Sequence, residues 1–160
     1  MSLLTRGELQ GAAKTALEAH PLFTAGRVTV LTNYVAPGEK NSTREAAIRD
    51  KGACIEISPV LRERLVTYKR PSLLTKDCTF SVAARISPTC PVGVLPVLPL
   101  TLDTMVDAIE AALLGLGFAV ATPMDSVEPE QELAHLVEDA EGLLSTAIFF
   151  TARAHISAPA

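Results

Sequence analysis

Chemistry in this chain is first sought at a cysteine set among prolines. Cys90 lies between Pro88 and Pro91 in the stretch SPTCPVGVLPVLPL, residues 87–100. A thiol becomes a nucleophile when a nearby base or cation favours the thiolate. No charged residue occurs from Ser87 to Leu102, and apolar surroundings push a thiol pKa up. Cys90 therefore reads as a packed or tolerated cysteine. Cys54, Cys78, His20, His135 and His155 are the other soft metal ligands available. Zinc sites declare themselves by close ligand pairs, and no two of these residues are close in sequence. No metal and no cofactor are expected.

Carboxylates gather at Glu128, Glu130, Glu132, Glu138, Asp139 and Glu141. A catalytic pair needs two environments that drive the pKa values apart. This run reads instead as a solvated face. The chain has no glycine-rich phosphate loop, no Gly-x-Ser-x-Gly and no His-Glu-x-x-His. The expectation is a non-enzyme, with a small enzyme or ligand-binding domain lacking a local motif as the alternative.

Charge distribution says more. Residues 62–76 hold Arg62, Arg64, Lys69, Arg70 and Lys76 against the single acid Glu63. Residues 125–141 hold seven acids and no Lys or Arg. Two different, complementary patches make a heterologous contact between copies, which closes into a ring if the rotation allows. The expected interface sets Arg62, Arg64, Lys69 and Arg70 against Glu130, Glu132, Glu138 and Asp139. The competing reading is two ordinary solvated surfaces. A basic strand can also touch phosphates, which leaves a nucleic-acid accessory role as a third possibility.

The elements that must position these residues fit one domain spanning 1–160. Of the 160 residues 48% are hydrophobic and 20% charged, ordinary for a globular chain. Aromatics are only 4%, so Ala, Val, Leu and Ile must build most of the core. A net charge of -4 argues against a generally basic nucleic-acid binder. No apolar run reaches spanning length without Pro or charge, so no membrane is expected. The start MSLLTRGELQ does not read as a signal peptide, and an odd three cysteines read as reduced thiols in a cytosolic setting.

Thr5-Arg6-Gly7-Glu8 reads as a capping box, followed by Leu9, Ala12, Ala13, Ala16 and Leu17 at helical spacing up to Pro21. Arg27 to Tyr34 alternates as a strand. Ser42-Thr43-Arg44-Glu45 reads as a second box, opening a helix that Gly52 ends. In ACIEISP, Ala53, Ile55 and Ile57 share one face. RERLVTYKR reads as a further strand. KDCTFSVAARIS places Cys78, Phe80, Val82, Ala84 and Ile86 on one face and Thr79, Ser81 and Arg85 on the other. Thr101 caps a helix carrying Leu102, Met105, Val106, Ile109 and Leu113, which Gly115 and Gly117 end. FAVAT is a short strand, and Leu133, Leu136, Val137 and Ala140 predict a helix ended by Gly142. Leu143 to Ile156 is the last strand. This order predicts an α+β fold, a single mainly antiparallel sheet with helices packed on one face.

The proline run then becomes a crossing between a strand and a helix. Val94 and Leu95 are too apolar for a freely solvated loop, so their own domain or a neighbouring subunit should cover them.

The layout resembles the tail terminator, or tail completion, proteins of long-tailed phages such as lambda. The resemblance rests on TRGELQGAAKTALEA, STREAAIRDKGACIEISPV, the strands RERLVTYKR and DCTFSVAARIS with LTLDTMVDAIEAALLGLG, and GLLSTAIFFTARAHI. The proline run and the segment from Pro129 to Ala140 fall outside that pattern. The resemblance implies a structural, non-enzymatic subunit and no catalytic residues. It implies a homo-oligomeric ring, commonly a hexamer, that ends the tail tube and meets the head connector, with a head–tail connector subunit as the near alternative. DNA would be only a passing lumen contact. The subunit would reside in the bacterial host cytoplasm during assembly and in the virion afterwards.

Overall fold

The computed structural model describes residues 4–24, 28–32, 42–70, 73–87, 100–120, 137–138 and 144–157. In chain order its elements are α1 (Arg6–Ala19), β1 (Thr29–Leu31), α2 (Ser42–Lys51), β2 (Ala53–Ile57), β3 (Arg62–Arg70), β4 (Leu73–Ile86), α3 (Leu102–Gly115), β5 (Ala119–Val120), β6 (Val137–Glu138) and β7 (Leu144–Ser157). The fold is α+β, as the element order predicts.

Two long strands form the axis of the sheet. β4 and β7 pair antiparallel over their full 14 residues, from Leu73↔Ser157 to Ile86↔Leu144. At ~3.3 Å per residue each runs about 45 Å, well beyond a typical strand. Short strands fill the flanks. Along one edge of β4, β2 pairs with residues 82–86 and β3 with residues 73–79. Along the far edge of β7 lie β6, β5 and a bridge from Leu4 to Ala154. β1 joins β2 in parallel, the only parallel pairing of strands among the described residues, and α2 makes the crossover that a parallel pair requires.

The alternating faces of these strands decide where the helices go. Phe80, Val82 and Ala84 of β4 and Phe150, Ala152 and Ala154 of β7 are all at most 2% exposed. Against them pack Leu9, Ala13 and Leu17 of α1 and Met105, Ile109 and Leu113 of α3, one stripe per helix. Phe80 sits between Phe118, edge-on at 5.8 Å, and Phe150, stacked at 6.1 Å. In a chain so poor in aromatics these three rings supply much of the bulky core.

Helices α1 and α3 share one face, as expected, while α2 lies on the other. Cys54 points away from Ile55 and forms a smaller buried cluster with Leu31 and Ala47. The reason is the crossover. A helix linking two parallel strands must rest on one sheet face, and Ala47 seals Cys54 there.

Local signals hold at most helix ends. The Thr5 N–H donates to the Glu8 carboxylate at 2.7 Å. Thr101 and Thr104 exchange backbone-to-hydroxyl bonds at 3.0 and 3.2 Å. α3 ends with Phe118 N–H on Leu113 O and Gly117 N–H on Leu114 O, and Gly117 takes φ 84°, the left-handed glycine stop. Gly52 closes α2 with φ 79° and donates to Ile48 O. Ser42 differs from expectation: it is already the first helical residue of α2.

One expected element is wrong in kind. Val137 and Glu138, read as part of a helix, form β6 and pair with Ser145 and Leu144. The open ladder edge of β7 offers backbone partners there, and a β-branched Val suits a strand. The remainder of that expected helix, including Glu130, Glu132, His135 and Asp139, lies outside the described residues. So do Arg27 and Tyr34 at the ends of the expected first strand, and the proline run with Cys90, Val94 and Leu95.

Candidate functional site

Strand register splits the basic stretch between the two faces of the sheet. Arg62 stands opposite Thr79 and Arg64 opposite Asp77, and these in turn face Thr151 and Arg153. Directly opposed residues share a face. All six therefore lie on the outer face, away from α1 and α3. Glu63 stands opposite Cys78, and Lys76 opposite Ala154, so both point to the helical face.

The outer-face residues line a shallow groove of about 250 Å³. Its walls are Arg62 and Arg64 on one side and Ala119 and Val120 on the other. The floor holds Thr79 and Thr151, whose hydroxyls lie 3.4 Å apart. Arg153 donates from Nε to Asp77 Oδ1 at 3.1 Å. Arg62 and Arg64 are exposed, and Val120 leaves an apolar rim 43% exposed. The groove thus holds two arginines, Arg62 and Arg64, and one carboxylate, Asp77, which Arg153 pairs from beside it. Arginine forks suit carboxylates or phosphates, while no acid and base stand together in a protected pocket there.

On the helical face Glu63 accepts from Arg6 of α1 and from Lys76 Nζ, the latter at 2.9 Å. These hydrogen bonds hold the Glu63 carboxyl below its ordinary pKa of 4.5, Arg6 contributing most. A cleft of about 440 Å³ opens beside this cluster, lined by Arg6, Gln10, Ser58, Val60 and Phe80 among others. Its polar groups are largely committed. The Gln10 amide donates to Thr32 O and Ile57 O, both at 2.8 Å, tying α1 to the ends of β1 and β2. Ser58 Oγ accepts from Ser81 N–H and donates to Pro59 O. This cleft is architectural rather than chemical.

A third charged cluster anchors α2. Glu56 accepts from Arg44 through Nε and, at 3.0 Å, through Nη2, and from Arg85 Nε at 2.9 Å. Arg85 also donates from Nη1 to Ser145 Oγ at 3.1 Å, linking β2, β4, β7 and α2. Nothing in the local sequence around Arg6, Gln10, Arg44, Glu56 and Arg85 marks them as members of these clusters. Their partners are 12 to 60 residues away, so no local motif reveals them.

Of the expected interface, Arg62 and Arg64 are brought together on the groove wall. Lys69 and Arg70 follow on the backbone of β3, past register shifts after Leu65 and Thr67 that break simple alternation. Glu138 is on β6. Glu130, Glu132, Asp139, Val94 and Leu95 lie outside the described residues, so the acidic half of the contact is not placed.

His135 lies outside the described residues; the other four soft ligands stand apart from one another. Cys54 and Cys78 are buried on opposite faces of the sheet, and burial pushes the Cys78 thiol pKa up. His20 Nδ1 accepts from Leu22 N–H at 3.1 Å at the end of α1, and the His20 ring lies near Phe23. His155 Nδ1 is buried without a hydrogen-bond partner, while the His155 backbone N–H donates to Leu4 O. Among the described residues no three His, Cys, Asp or Glu side chains gather to hold a metal, and no helix is long and apolar enough to cross a membrane. No protein-family model matches the chain, and no curated protein matches its sequence.

Proposed function

We propose that the chain is a structural subunit of a bacteriophage or prophage tail or neck. Copies would form a ring that terminates the tail tube and joins it to the head. The observation that carries this reading is the ribbon of β3, β4 and β7. Arg6, in the first turn of α1, pairs with Glu63, which also accepts from Lys76. From there β3 continues through residues 65–70 and β4 from residue 73, giving the sheet an arm that runs on from the helix start. Such an arm has edge backbone groups that a neighbouring subunit can cover. The exposed Arg62 and Arg64 beside it supply charge to orient that neighbour. The mechanism is geometric: one ring face stops tube growth and the other receives the connector.

Native mass measurement tests this directly. A closed oligomer supports it, and a strict monomer over a wide concentration range counts against it.

A further inference from the structure

We draw no further inference here: the strongest candidate, the cleft of about 440 Å³ between the start of α1 and the connection from β2 to β3, has its Arg6 and Gln10 side chains committed to Glu63, Thr32 and Ile57, and nothing in the structure shows what covers it.

Discussion

Replacing Glu56 with Ala should cost about 3 kcal/mol of stability, and the figure follows from its surroundings. The carboxylate accepts from two guanidinium groups, Arg44 and Arg85. The three side chains are only 12%, 16% and 18% exposed. Removing one partner of a buried pair costs ~3–5 kcal/mol, because the remaining charge is left uncompensated. The residual exposure admits some water and places the estimate at the low end. With an m-value of ~2 kcal/mol/M, the urea midpoint falls by about 1.5 M while m stays unchanged. For a chain of this length Tm drops by ~6–12 °C. The assay is urea unfolding followed by circular dichroism at neutral pH. The triple variant Arg44→Met, Glu56→Leu, Arg85→Met should recover part of the loss, since a well-packed apolar replacement of a buried ion cluster is often near neutral. A cost below ~1 kcal/mol for Glu56→Ala would refute the reasoning. It would mean that this cluster is solvated and does not hold α2 to the sheet.

Three further outcomes are expected. Phe80→Ala removes the ring between Phe118 and Phe150 and should cost ~3–5 kcal/mol in the same assay; a loss under ~1.5 would mean the aromatic core collapses to fill the space. Glu63 has a folded pKa depressed by Arg6 and Lys76, so its contribution is present above the unfolded value of 4.5 and fades as pH falls through the folded one. Stability measured from pH 6 to pH 2 should therefore show a shallower acid decline in Glu63→Gln, and an identical slope would contradict the pairing. In a Cys90→Ser background, a thiol reagent should label Cys54 and Cys78 only on unfolding, because both are buried; rapid labelling of the folded chain would show either cluster to be open.

Local patterns were legible where one short segment decides the outcome. The alternation of residues 78–86 marks the core face of β4, and Leu9, Ala13 and Leu17 mark the buried stripe of α1. Thr101, Gly52 and Gly117 set helix ends because a cap or a left-handed turn depends on a few neighbours. Legibility ended where distant segments decide. Val137 carries a weak helical spacing, but the open edge of β7 takes it as strand. Cys54 shares the Glu56 side of β2, and only the crossover of α2 buries it there. The basic run reads as one patch, yet the register of β3 on β4 sends Arg62 and Arg64 to one side and Lys76 to the other. Glu56 gives no sign in the sequence that two arginines, one 12 residues before it and one 29 after, converge on it.

We propose, above all, that this chain works as an assembled ring of identical subunits. Native mass spectrometry of the full chain at low ionic strength, over a hundredfold range of concentration, tests it most directly. The account predicts one closed oligomer at a whole multiple of the subunit mass, dissociating as salt is raised. A monomer at every concentration and salt would contradict it.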